Sequence, residues 1–255
     1  MEKIREILST LKSMGCSGIK ISFEDEGALL NEVISMRKLT ASIGVELSVK
    51  IGGCEAKRDI VECMDLDADT IVAPMIESEF SLNKFLKSLS AYNYDKKKGF
   101  NLETIGAYKN LESLEKLFDK VDFVTVGRVD FVSSMNKDRD YVDTEEMYKI
   151  VSDVFTSARN KGTCCYLGGA VSINSKTFIT NLINSGLLDK FETRYIIYDV
   201  SKINIEDFEK LLYWGNVFEV EWLRYISTRY FAHANKDTKR IKMIDDRISM
   251  NKINF

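Results

Sequence analysis

Short runs of β-branched and apolar residues alternate along most of the chain with longer stretches in which apolar positions recur at helical spacing. This is the pattern of strand-helix units around a parallel sheet. The strand candidates are residues 18–23, 45–51, 70–76, 99–105, 123–129, 164–169 and 194–200. Helical spacing fills 26–42, 54–64, 79–89, 110–118, 144–160 and 175–185, and Ile4, Ile7, Leu8 and Leu11 form one face of a helix ahead of the first strand. Ser78, Thr144 and the pair Asn174 and Ser175 stand where helix caps are expected. Seven clear strands in this rhythm predict a single α/β barrel of the TIM type over residues 1–203, a size usual for one such domain.

Beyond residue 203 the rhythm stops. Residues 206–234 and 238–250 read as one or two long helices rich in aromatics, among them Tyr213, Trp214, Phe218, Trp222, Tyr225, Tyr230 and Phe231. That much apolar helix predicts a C-terminal extension, 204–255, which either wraps the barrel bottom or packs on a neighbouring subunit.

Composition narrows the function classes. Apolar residues make up 45% and charged residues 29%, enough for a sizeable core. A net charge of −3 offers no attraction for a phosphate backbone, although 236–247 is locally basic, so nucleic acid is not the expected partner. No apolar run approaches the length of a membrane span and no apolar leader opens the chain, so the expectation is a cytoplasmic protein without a membrane partner. The cysteines, Cys16, Cys54, Cys63, Cys164 and Cys165, are odd in number and form no C-x-x-C pair; they read as small packed groups, Cys54 included. The single histidine, His233, falls in the aromatic helix, which leaves no material for a His-rich zinc site or a Ser-His-Asp triad.

In a parallel barrel the chemistry sits where the strands end. Those ends are polar here: Glu24, Asp25 and Glu26, then Lys50, Glu77, Asn101 and Glu103, Arg128 and Asp130, and finally Asp199. Loops meeting water account for part of this. Glu77 can face the barrel mouth or cap the next helix. Glu103 and Asp130, on neighbouring strand ends, can converge on one hard cation with open positions for a bidentate, enolisable 2-oxo acid. Lys50 or Arg128 could then neutralise a substrate carboxylate or an enolate oxygen. Glycines gather at the same ends (Gly52, Gly53, Gly106, Gly127, Gly168 and Gly169), where a backbone turns tightly or approaches a ligand, and Gly127 is the one beside the two acids.

Three segments resemble the HpcH/HpaI aldolase and citrate lyase beta-subunit family. Asp69-Thr70-Ile71-Val72-Ala73-Pro74-Met75-Ile76-Glu77 is similar to that family's "G-A-x-x-L-x-V-P-M-V" strand, and Asn101-Leu102-Glu103-Thr104 to its "Q-I-E-T". Val121-Asp122-Phe123-Val124-Thr125-Val126-Gly127-Arg128-Val129-Asp130-Phe131 resembles "V-D-G-V-F-I-G-P-A-D-L", at a fitting distance from the glutamate. The resemblance, running from about residue 15 to 200, implies a metal-dependent barrel with Glu103 and Asp130 as ligands of Mg2+ or Mn2+. It implies that Asn101 stands for a substrate-facing glutamine and Lys50 for an arginine. The family's Glu-His falls near Glu24 and Asp25, so Asp25, Glu24 or a water on the metal would replace the imidazole in proton transfer. A lysine for arginine exchanges a planar fork for a point charge, which alters carboxylate recognition. The family's first strand has no counterpart ahead of residue 15, so either seven strands close the barrel or it stays open at that seam.

The expectation is therefore a carbon-carbon lyase or aldolase acting on a small-molecule 2-oxo acid, assembled as a homo-oligomer through its C-terminal helices. Alternatives are a citrate lyase beta-like enzyme acting on an acyl-CoA or a phosphorylated 2-oxo acid, and a barrel kept as a binding or scaffold subunit.

Overall fold

The computed structural model describes residues 1–250; residues 251–255, the end of the expected extension, lie outside the described residues. The chain opens with α1 (Glu2–Ser13), whose Ile4, Ile7, Leu8 and Leu11 are all buried. The strands are β1 (Cys16–Ser22), β2 (Glu46–Lys50), β3 (Thr70–Ala73), β4 (Lys97–Leu102), β5 (Phe123–Gly127), β6 (Cys164–Gly168), β7 (Lys190–Glu192) and β8 (Ile196–Asp199). They pair in chain order and close into a barrel. Between them run α2 (Leu30–Ile43), α3 (Lys57–Asp65), α4 (Glu79–Ala91), α5 (Ile105–Lys109), α6 (Leu111–Leu114), α7 (Arg128–Ser134), α8 (Glu145–Asn160) and α9 (Lys176–Asn184).

The seam that the sequence left undecided is closed by a strand running the wrong way. Strands β1 to β7 pair in parallel, whereas β8 is antiparallel to both β7 and β1. The reason is length. Only Thr193, Arg194 and Tyr195 separate β7 from β8, enough for a hairpin and far too few for a parallel crossover. The turn is held by the Thr193 N–H on the Ile196 carbonyl, 3.0 Å, and by the Ile196 N–H on the Thr193 hydroxyl, 3.2 Å. The expected strand 194–200 thus exists in reversed direction, and three-residue β7 adds an eighth to the seven expected. Reversal also moves Asp199 from the mouth to the opposite end, where it bonds Ser201.

Strand residues alternate between two environments. Outward positions such as Ile19, Ile21, Leu47, Val49, Phe100, Leu102, Val124 and Val126 lie buried in the main core. Inward, the barrel floor is a separate apolar cluster of Val72, Phe123 and Tyr166, with the Phe123 and Tyr166 rings stacked at 4.1 Å. Gly99 makes room for it: a Cβ there would lie 2.4 Å from the Phe123 ring. Above that floor the inward positions are polar. At the strand starts, Asp69, Asp122 and Asp189 accept the N–H of Leu47, Lys98 and Cys165, which pins adjacent strands in register.

Caps form at Ser78, which accepts the Ser81 N–H, and at Thr144, which accepts that of Met147. Ser175 does not cap α9; its hydroxyl donates to Asp143 at 3.0 Å. The stretch 110–118 is broken into α6 and a following tight turn rather than one helix.

The extension forms one helix, α10 (Phe208–Met250). Its first half joins the barrel core through Phe208, Leu211, Leu212, Phe218 and Trp222, and Glu221 pairs with Lys3 of α1 at 2.8 Å. From 228 to 242 every position is exposed, His233 among them. Among the described residues no helix is long and apolar enough to cross a membrane.

Candidate active site

Every second residue of the strands leads into a cavity of about 460 Å3 at the end where β1 to β7 terminate. It is lined by Lys20 and Ser22 of β1, Lys50 of β2, Asn101 and then Glu103 after β4, Thr125 and Gly127 of β5, Gly168 of β6 and Glu192 of β7. Loops add Asp25, Glu26, Asp130, Arg139 and Arg194, and α10 adds Asn216 and Glu219. A larger depression, about 740 Å3, lies at the other end of the barrel. Its charges are spent on one another, as in Arg37 with Asp69, Lys97 with Glu46 and Lys202 with Asp199, and of the polar strand ends named from the sequence it holds Asp199, carried there by the reversal of β8.

Glu103 is 2% exposed. One carboxylate oxygen accepts the Met75 N–H at 2.9 Å and the other the Asn101 amide at 3.0 Å. Met75 holds a left-handed φ of 50°, a conformation that costs energy in a non-glycine residue and that here accompanies an amide aimed at the carboxylate. Gly127 supplies the space, since a Cβ on it would lie 2.5 Å from Glu103 Oε2. Burial raises the Glu103 pKa; Lys50, the Met75 N–H and the Asn101 amide oppose it, and Asp130 adds to it. Asp130 sits in the first turn of α7 at the rim. Burial raises its pKa too, against Lys50, with Asp25 and Glu24 contributing in the same direction as burial.

Lys50 is buried, and its ammonium lies 2.7 Å from Glu24. Burial works against its charge, but the bond to Glu24 and the fields of Glu103, Glu24 and Asp25 outweigh this and raise its pKa. One ammonium therefore faces four carboxylates, Glu24, Asp25, Glu103 and Asp130. That surplus of hard, negatively charged oxygens, with Glu103 and Asp130 both raised first by burial and further by their neighbouring carboxylates, fits a divalent cation such as Mg2+ or Mn2+. Among the described residues no three carboxylate, thiolate or imidazole groups converge on one point. Glu103 and Asp130 would then be the protein's share of the ligands, leaving positions for substrate and water.

The structure brings Asp25, Lys50, Asn101, Glu103, Gly127 and Asp130 together and leaves Arg128 out. Arg128 is fully buried and all of its N–H groups are engaged. They donate to Gly168, Val142, Asp143 (2.5 Å), Gly169 and Ser175, while the guanidinium stacks on Phe178. The expectation that Arg128 neutralises substrate charge is corrected. Because α7 begins at Arg128 itself, its side chain turns away from the cavity toward the loop before α8. Arg139 and Arg194 line the cavity instead. Asn101, expected to face substrate, spends one amide hydrogen on orienting Glu103. Glu77 bonds the Thr104 hydroxyl at 2.5 Å and ties two loops outside the cavity.

Sequence reasoning named Glu26 among the polar strand ends without giving it a role, and missed Thr125, Lys20 and Glu192. Lys20 and Glu192 are paired at 2.5 Å across β1 and β7. The Thr125 hydroxyl is buried with no hydrogen-bond partner among the described residues, a group left for a ligand. Glu26 accepts the Ser22 N–H at 3.2 Å, and burial pushes its pKa to about 7 against Lys20, the Ser22 bond and Arg194, with Asp25 adding to the rise. Cys16 and Cys165 are buried thiols, pushed up to about 12.

No protein-family model matches the sequence, and no curated protein does. Solved structures match in fold. An HpcH/HpaI aldolase from Desulfitobacterium hafniense superposes with a TM-score of 0.59 at 12% identity, over 71% of this chain and 79% of its own. An HpcH/HpaI aldolase/citrate lyase family protein from Burkholderia cenocepacia gives 0.60 at 14% identity, over 76% and 83%. The citrate synthase SbnG gives 0.59 at 11%, over 85% and 89%. At such identities the likeness establishes the barrel fold, the TIM-type architecture expected from the sequence.

Proposed function

We propose that the protein is a metal-dependent carbon-carbon lyase or aldolase of the HpcH/HpaI type, acting on a 2-oxo acid through a pyruvate-type enolate. The observation that carries this reading is the cluster of Glu103, Asp130, Glu24 and Asp25 around one ammonium at the barrel mouth, on a fold shared with structures described as aldolases.

Mg2+ or Mn2+ held by Glu103 and Asp130 would supply the Lewis acidity that makes a 2-oxo acid enolisable. The chain's own residues do the rest. Lys50 carries positive charge toward the substrate carboxylate and the developing enolate oxygen. Asn101 and the Met75 N–H fix the Glu103 carboxylate, and Gly127 lets it sit against the backbone. Thr125 offers an unspent hydroxyl from below. Apart from Val129, Ala170 and Val171 the lining is glycine or polar, which favours a compact polar 2-oxo acid over an acyl-CoA thioester. The exposed stretch of α10, bearing Phe231, Ile241 and Ile244, supports a homo-oligomer joined through that helix.

The test is calorimetric titration of magnesium and manganese, with and without pyruvate or oxaloacetate, into wild type and Asp130→Asn. The reading expects metal binding that tightens with the 2-oxo acid and disappears in the variant. No binding in either protein would overturn it in favour of a scaffold role.

A further inference from the structure

We infer that Glu26 is the proton-transfer group of this cavity, taking the task for which the barrel mouth holds no imidazole. The inference rests on the lyase reading above and names a residue that neither the sequence motifs nor the fold comparison points to.

The carboxylates lining the cavity are not equivalent. Glu103 and Asp130 form the candidate cation pair. Glu192 is committed to Lys20 at 2.5 Å, and Glu24, beside the cavity, to Lys50 at 2.7 Å. Asp25 is exposed, where water competes for any proton it handles. Glu219 belongs to α10, outside the strand ends. Glu26 differs from all of these. Its side chain is only 7% exposed, yet it lines the cavity. One oxygen accepts the Ser22 N–H, which fixes the carboxyl on the end of β1; the other lies 3.6 Å from Arg194 Nε, beyond hydrogen-bond reach. That second oxygen is the available one.

The charged and titratable groups around it are Lys20 on β1, Asp25 in the same loop, Arg194 and Tyr195 from the turn between β7 and β8, Glu219 of α10, whose field reaches Arg194 and Tyr195, and Glu32 of α2 and Tyr230 of α10, which share with Glu26 the lining of an adjoining depression. Burial outweighs the two cations and holds the carboxyl near the middle of the physiological range. A group poised there can both accept and return a proton, which a carboxylate at its ordinary value does poorly.

The step balances without any co-reactant. In cleavage of a 4-hydroxy-2-oxo acid, the Glu26 carboxylate takes the proton of the C4 hydroxyl. The C4 oxygen forms the aldehyde carbonyl, the C3–C4 bond breaks, and its electron pair becomes the enolate of pyruvate. Glu26 then returns the same proton to C3, giving pyruvate and regenerating the carboxylate. Condensation is the reverse.

The experiment is exchange of the pyruvate C3 hydrogens for deuterium, followed by proton NMR with magnesium present, in wild type, Glu26→Gln and Glu26→Asp. Wild-type exchange should rise with pH through about 7 and then level, because only the carboxylate accepts a proton. Glu26→Gln should lose about a hundredfold in rate together with that limb, while calorimetric magnesium affinity stays within about threefold of wild type. Glu26→Asp, which keeps the acid, should recover part of the rate and retain a limb. Exchange by Glu26→Gln within about threefold of wild type, or an Asp variant as inactive as the Gln variant, would overturn the assignment. Wild type that neither exchanges pyruvate nor binds magnesium would instead overturn the lyase reading itself.

Discussion

Lys50 holds its ammonium 2.7 Å from Glu24 while also facing Glu103 and Asp130, so a single cation on β2 is shared by carboxylates from three other strand ends. Replacing it by methionine keeps the volume of the stem and removes the charge. Lys50→Met should destabilise the metal-free protein by roughly 3 kcal/mol, the usual cost of stranding a buried carboxylate. Magnesium should restore much of the loss. Chemical denaturation with and without magnesium checks this; a variant as stable as wild type in both conditions would mean that the four acids are not electrostatically coupled.

Gly127 tests the orientation of Glu103 without touching its chemistry. In Gly127→Ala the new methyl would meet the carboxylate oxygen at 2.5 Å, so the carboxylate must leave the Met75 and Asn101 hydrogen bonds. Calorimetry should show magnesium affinity falling by at least about tenfold, with stability falling by about 1–3 kcal/mol for the overpacking. Unchanged affinity would mean that the Glu103 position seen here is not the one that binds the ion.

Arg128 should behave as a structural residue. Its donors bind the loops after β6 and before α8, so Arg128→Met should cost about 3–5 kcal/mol through uncompensated buried partners. The KM for the 2-oxo acid, measured well below the melting temperature, should stay within about threefold, whereas loss of a bidentate substrate contact would raise it far more. A large rise in KM without loss of stability would return Arg128 to the cavity.

The contrast between Arg128 and Glu103 shows what the sequence could and could not convey. Strand ends are legible because β-branched runs and glycines mark them, and Glu103, Lys50, Asn101, Gly127 and Asp130 lie where that reading puts them. Whether an end residue points inward depends on its parity along the strand and on where the next helix begins: Arg128 has the parity of the outward Val124 and Val126, and α7 starts at Arg128, inside the expected strand 123–129. Glu26 was visible as one of three consecutive acids but not singled out, since only burial separates it from Asp25. Strand β7 was hidden by its three-residue length, and the reversal of β8 follows from β7. Alternation in Lys20-Ile21-Ser22 and Ser48-Val49-Lys50 did carry a signal for the polar interior, since a strand buried on both faces is otherwise continuously apolar.

The exposed half of α10 gives a prediction about assembly. Positions 228–242 are all exposed, with Phe231 66% and Ile241 59%. Removing residues 232–255 should leave the melting temperature within about 3 °C of wild type, because positions 232–242 are all exposed. Light scattering should show the shortened protein as monomer and the full chain as oligomer. Identical mass per particle would place any subunit interface elsewhere.

The acids of the cavity also set how stability depends on pH. For Glu26, raised from the ordinary 4.5 to about 7 by burial, the folded protein keeps a proton that the unfolded chain has already released between those values. Stability must then fall as pH rises through that interval, by up to roughly 3 kcal/mol. Glu103 and Asp130, raised by burial as well, steepen the fall. This is opposite in sign to an ion-paired carboxylate, whose contribution grows as pH rises. Urea denaturation of the magnesium-free protein between about pH 4.5 and pH 7.5 should show the decline in wild type and a shallower one in Glu26→Gln, which has no proton to lose. Stability that rises across the interval in wild type would mean that Glu26 is ionised and paired in the folded protein, and a carboxylate so held could not shuttle a proton.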